Sequence, residues 1–157
     1  MVTPINKPDI IEIGSVLIKV KRSYLNKFMQ GAILGEDLFF ADEDKDGYVV
    51  TSKTRLADME KRLAAHLERE KALHKSVELN NKGIAFEKEG NDDAAIEVYE
   101  QSIATGYKTL HPYDRLIVIY RKHKDYQNEL RVIKLAIEAF GIQKHKDRLI
   151  KTEKLCK

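Results

Sequence analysis

Residues 76–109 read SVELNNKGIAFEKEGNDDAAIEVYEQSIATGYKT, and residues 110–143 read LHPYDRLIVIYRKHKDYQNELRVIKLAIEAFGIQ. The two stretches align without a gap at a shift of 34 residues. Few positions are identical (Lys88 with Lys122, Val98 with Val132, Ile103 with Ile137), but the order of small, large and polar residues recurs. Internal repeats of this length are a strong guide to architecture, because each copy is one supersecondary unit that buries its apolar face against the next. Each copy predicts two helices joined by a tight turn, at Gly90-Asn91-Asp92 and at Lys124-Asp125-Tyr126. Asn91 and Asp125 stand at the same place in the two copies, and both are strong helix N-caps. Gly90 suits a helix C-terminus. Gly106 and Pro112 bracket the connection between copies, with Pro112 in a first helical turn, where its missing N–H costs little. In the first copy, the small Ala95 leaves room for Phe86 between antiparallel helices.

Upstream, Leu56, Met59, Leu63, Leu67, Leu73 and Val77 recur at helical spacing, and no glycine or proline occurs from residue 48 to residue 82. Residues 55–75 are therefore expected to form a long connecting helix of good helix formers. Its narrow apolar stripe either packs against the rest of the chain or forms a coiled coil. His66 and Glu70 interrupt the seam that a coiled coil wants.

Residues 1–54 predict a small β-rich module. Val16, Ile18 and Val20 share one face of a strand, and a short helix around Tyr24, Leu25, Phe28 and Met29 ends near Gly31. Residues 38–40 and 48–50 read as two strands flanking the polar turn from Asp42 to Gly47. The same turn matches the first half of a calcium loop through Asp42, Asp44, Asp46 and Gly47. Lys53, however, stands where a bidentate glutamate would close the site. A solvated turn is the expected reading.

Residues 142–157 are expected to form a capping helix with Leu149, Ile150 and Leu155 toward one side. Its basic residues Lys144, Lys146, Arg148, Lys151, Lys154 and Lys157 outnumber Asp147 and Glu153 and read as a solvated face. The chain as a whole carries a net charge of +3, with 43% apolar and 34% charged residues. That mix argues for a packed core, and it is weaker and less clustered in charge than dedicated nucleic-acid binders show. The lone Cys156 cannot form an internal disulfide, the first nine residues lack the apolar run of a leader, and no stretch reaches membrane-spanning length. A cytoplasmic protein away from membranes is expected.

The repeat resembles the tetratricopeptide family, whose unit has 34 residues with sparse small and large positions. Gly83, Phe86, Ala95 and Tyr99 stand at the family's positions in the first copy, and Leu116, Tyr120, Ile133 and Ala136 in the second. The departures are specific. Leu79 and Tyr113 replace the first aromatic, Lys82 a leucine, Ile117 a glycine and Glu129 a small alanine, and Tyr107 and Gly141 stand where a closing proline would. The resemblance implies a mainly α, solenoid-like fold of two helical hairpins, capped by the flanking helices. It also implies that the first helix of each unit lines a concave face. On this chain that face comprises Asn80, Ile84, Glu87 and Lys88, then His111, Asp114, Arg115, Val118, Arg121 and Lys122.

Such a face fits a peptide or protein partner. Ile84 and Val118 offer apolar contact, while Asn80 and Arg115 offer groups that bind backbone or carboxylates. The carboxylate-gripping arrangement of some relatives is not expected, because Ile84 replaces one amide and a third unit is lacking. An adaptor is therefore the leading expectation. The alternatives are a self-assembling protein joined through the long helix or an open repeat end, and association with nucleic acid through the basic C-terminal helix. The histidines and the cysteine are not paired at metal-ligand spacing, no phosphate loop follows a strand, and no serine sits in a nucleophile elbow. Neither enzymatic activity, a metal nor a cofactor is expected.

Overall fold

The computed structural model describes residues 8–156. The expectations resting on residues 1–7, and on Lys157 in the basic tail, lie outside the described residues. The chain is mainly helical, with one small antiparallel sheet, and divides into two compact units at Glu68–Arg69.

The first unit is built on strands β1 (Ile10–Glu12), β2 (Leu17–Lys21) and β3 (Tyr48–Ser52), in the order β1-β2-β3. Alternation along β2 turns Ile18 and Val20 inward, with Val20 opposite Val49 and Ile18 opposite Thr51. Val16, expected on that inner face, precedes the strand and is exposed. After β2 come α1 (Arg22–Leu25) and a 3-10 segment, Asn26–Ala32, which bends at Gln30 and Gly31. Leu25 and Phe28 bury in one cluster with Val20, Val49, Leu56 and Met59.

The predicted strand over residues 38–40 is absent. Those residues belong to the end of helix α2 (Glu36–Phe39) and its cap. The reason is nonlocal. Arg22 donates from Nη1 to the Leu38 carbonyl at 2.6 Å and from Nη2 to the Ala41 carbonyl at 2.5 Å, so neither carbonyl is available to a strand partner. Only Leu38 of the three is buried, and Phe40 remains 76% exposed. β3 pairs with β2 instead, so the segment from Asp42 to Gly47 is a loop leading into β3. Within it, Asp44 is committed. Its Oδ2 accepts from Lys19 at 2.7 Å, and its Oδ1 accepts from the amides of Asp46 and Tyr48 at 3.0 Å each. The Lys19 ammonium, helped by the Tyr48 amide, holds that carboxyl down to about 2.

Helix α3 runs without a break from Lys53 to Lys88, so the backbone shows no division between a connecting helix and the first repeat. Its expected apolar stripe divides by position. Leu56, Met59 and Leu63 enter the first unit's core, Leu79 is buried in the second unit, and Leu67 and Val77 between them are exposed.

In the second unit, α3 is followed by α4 (Asp92–Ala104), α5 (Leu110–Lys122), α6 (Tyr126–Phe140) and α7 (Gln143–Glu153). Successive helices run antiparallel. Ser76 meets Ser102, while Gly83 meets Tyr99 further along, so one helix retreats as the other advances. α5 and α6 reverse in the same way, with Arg121 on Glu129 and the Tyr113 ring edge-on to Phe140. The caps form as the sequence predicts: the Asn91 side chain accepts from Ala94 N at 3.2 Å, and Asp125 accepts from Asn128 N at 3.1 Å. Gly90 adopts φ +74°, and Lys124 adopts φ +59° at the equivalent place in the second turn. Close packing falls on Gly83, where a Cβ would lie 2.4 Å from the Tyr99 ring. Tyr99 joins Ala95, Leu116, Ile133 and Ala136, all completely buried, in the core cluster of this unit.

α7 buries an unexpected side. His145 and Thr152 are buried and Leu149 is half-buried, whereas Ile150 and Leu155 are exposed. The expected face of Leu149, Ile150 and Leu155 gives way because two acidic groups beneath the helix, Asp114 and Glu129, draw its polar side inward.

Candidate partner-binding face

Two hydrogen bonds set the lateral order of the helices in the second unit. Asp114 on α5 meets His145 on α7, and Arg121 on α5 meets Thr152 on α7, both at a separation of 31 residues. A constant separation means that α5 and α7 run parallel. Arg115 on α5 also grips Glu87 on α3, its Nε lying 2.9 and 3.1 Å from the two carboxylate oxygens. The end of α3, α5 and α7 therefore contribute side chains to one continuous side of this unit.

Three neighbouring cavities open along it. Ile84, Glu87, Lys88, His111 and Arg115 line one of about 420 Å³. His111, Asp114, Arg115, Ile117, Val118, Lys144, His145 and Arg148 line a second of about 410 Å³. Arg121, Lys144, Asp147, Arg148 and Lys151 line the third, of about 520 Å³. The first two share His111 and Arg115, and the last two share Lys144 and Arg148.

Eight of the ten residues expected on the face thus line these cavities. Asn80 and Lys122 line none of the three. Asn80 is half-buried, and its Oδ1 is enclosed without a hydrogen-bond partner among the described residues. Lys122 turns toward α4, where its Nζ lies 2.5 Å from Asp92, whose same oxygen also meets His123. The Lys122 and His123 hydrogen bonds hold the Asp92 carboxyl below its ordinary range.

Several face residues already serve the fold. The Glu87 carboxylate takes Arg115 and accepts the Tyr99 hydroxyl at 2.7 Å; the Arg115 guanidinium is the main reason its pKa falls below the usual range. Burial, and then the bond to Glu87, push the Tyr99 phenol well above its usual range. At Asp114, burial alone would raise the carboxyl, but hydrogen bonds from His145 at 2.8 Å and Lys144 at 3.0 Å outweigh it and lower it. The ionised carboxylate only accepts, so His145 donates from Nε2. Its Nδ1 is left buried without a partner among the described residues.

Glu129 is fully buried and lies behind the third cavity. It accepts from Arg121 Nε at 2.7 Å, Arg148 Nε at 3.0 Å and the Thr152 hydroxyl at 3.4 Å. The position where a small alanine is expected therefore holds a carboxylate, and the packing is relieved by ionic contacts with the two flanking helices. Val118, 43% exposed, and Lys88 have no such structural partner among the described residues and face outward.

Sequence reasoning missed the α7 contribution. By charge alone Lys144, Arg148 and Lys151 read as part of a solvated face. Their spacing of four and then three residues, which puts them on one side of a helix, was the available signal. Among the described residues, no group of three or more histidine, cysteine, aspartate or glutamate side chains is placed to hold a metal ion, and no helix is long and apolar enough to cross a membrane. Comparison with known proteins returns no match: no family model, no curated protein and no solved structure matches the chain.

Proposed function

We propose that the second unit is a protein-interaction module of the tetratricopeptide kind, without catalysis of its own, that receives a segment of a partner protein along the side formed by α3, α5 and α7. The observation that carries this reading is the run of three adjoining cavities on one side, lined by apolar Ile84 and Val118 among charged groups. The antiparallel order of the helices and the close approach of Tyr99 to Gly83 support the repeat reading. A concave surface that combines a few apolar contacts with directional polar groups suits a peptide better than a small metabolite. We place the module in the cytoplasm, where Cys156 would stay a thiol.

Reversing Arg115 or Arg121 is a poor test, since both side chains hold the fold together through Glu87 and Glu129. A photo-crosslinking amino acid at Val118, with a control at the comparably exposed Leu135 on α6, reads the face directly. In extracts of the native cell, Val118 should yield a discrete adduct that Leu135 does not. Equal labelling from both positions, or none from Val118, refutes the reading. An adduct of twice the chain mass would transfer it to the self-assembly alternative.

A further inference from the structure

The third cavity differs from its neighbours in charge. Arg121, Lys144, Arg148 and Lys151 surround it, against one acidic lining residue, Asp147. The one acid paired with both arginines, Glu129, sits behind them with no exposed surface and leaves a net positive charge. It engages each guanidinium through Nε and so fixes where the forks stand. The Nη atoms of Arg148 make no hydrogen bond within the described residues, and Lys151 has no ion-pair partner among them. Lys144 meets Asp114 but remains 63% exposed. An approaching molecule therefore meets preorganised positive charge.

We propose that this notch between α5 and α7 binds an acidic segment of a partner protein in extended form, with carboxylates at alternate positions. The inference rests on the binding face proposed above. Spacing supports it. Lys144, Arg148 and Lys151 follow one another along α7 at about 6 Å and then about 4.5 Å of axial rise, given 1.5 Å per residue. Alternate side chains of an extended chain lie about 6.6 Å apart on one side. Two or three acidic side chains of one short segment thus reach the cations in turn, and arginine is suited to bidentate carboxylate contact. Nucleic acid fits less well. Among the described residues no aromatic ring lines the notch to stack a base, and the cationic stripe covers only about 10 Å of helix.

The test uses the full chain and fluorescence anisotropy at low salt, with three labelled probes: a peptide of alternating glutamate and serine, the same peptide with glutamine for glutamate, and a single-stranded thymidine oligonucleotide. The glutamate peptide should bind, and Lys151→Glu should weaken it about tenfold, as expected for reversing one contacting charge. Lys134→Glu, at an exposed site on α6, should leave binding unchanged. Adding Lys144→Gln should weaken it further; Lys151→Glu alone stands as the decisive variant if the double variant misfolds. Equal binding of the glutamine peptide, preference for the oligonucleotide, indifference to Lys151→Glu, or no binding would each overturn the proposal. A Val118 adduct with no acidic-peptide binding would defeat this inference while leaving the proposed face intact.

Discussion

Replacing Glu129 by alanine separates the sequence pattern from the structure. The repeat pattern asks for a small residue at this position, so by pattern alone Glu129→Ala should improve packing between α5 and α6. The structure requires the opposite. Glu129 is fully buried and accepts from two guanidiniums and one hydroxyl, at 2.7, 3.0 and 3.4 Å. Orphaning a buried ion partner costs about 3–5 kcal/mol. Arg121 and Arg148 keep 33% and 28% of their side-chain surface exposed, so both can partly rehydrate, which lowers the expected loss. The net destabilisation should be about 2–3 kcal/mol, a fall in melting temperature of about 5–10 °C for a chain of this size. Urea denaturation followed by far-ultraviolet circular dichroism measures it. Glu129→Gln, which keeps the volume and removes the charge, should recover less than half of the loss. A Glu129→Ala midpoint equal to or above that of the unmodified chain would refute the account of Glu129 as the anchor of α7.

Two further outcomes are expected. Gly83→Ala should cost about 1–3 kcal/mol by overpacking, because the added Cβ falls 2.4 Å from a Tyr99 ring that has no exposed surface; an unchanged thermal midpoint would show that the α3–α4 approach is looser. Glu87 has its pKa lowered chiefly by Arg115, so its contribution to stability is present above the ordinary glutamate value of about 4.3 and is lost as pH falls through the lower, folded-state value. Glu87→Gln should therefore flatten the acid limb of a stability profile taken below about pH 4.3, and an unaltered limb would argue against the Arg115 pairing.

What the sequence made legible was local. The caps at Asn91 and Asp125, the inward side of β2, and the succession of helices from Asp92 to Phe140 all follow from residues close together in the chain. The errors arose where a distant group intervened. Residues 38–40 carry β-forming side chains, yet Arg22 claims the carbonyls at Leu38 and Ala41. Ile150 and Leu155 read as a packing side of α7, but Asp114 and Glu129 draw His145, Arg148 and Thr152 against α5 and α6. The candidate face on α3 and α5 follows from the resemblance to the tetratricopeptide family, which assigns it to the first helix of each unit, and eight of its ten expected residues line the three cavities. Its third wall was missed because a dense run of lysine and arginine looks alike whether it faces bulk water or a neighbouring helix.

The unbroken course of α3 has a practical consequence for dissecting the protein. Leu63 and Leu79 belong to the cores of different units, and the turns between them bury little of their own surface. No loop separates the halves, so any cut there opens a helix in the middle and strips turns from both fragments. Pieces meant to fold separately need overlapping ends, each keeping a length of the same helix, and scissile sites engineered near Glu68 would report on fraying of that helix as well as on separation of the units.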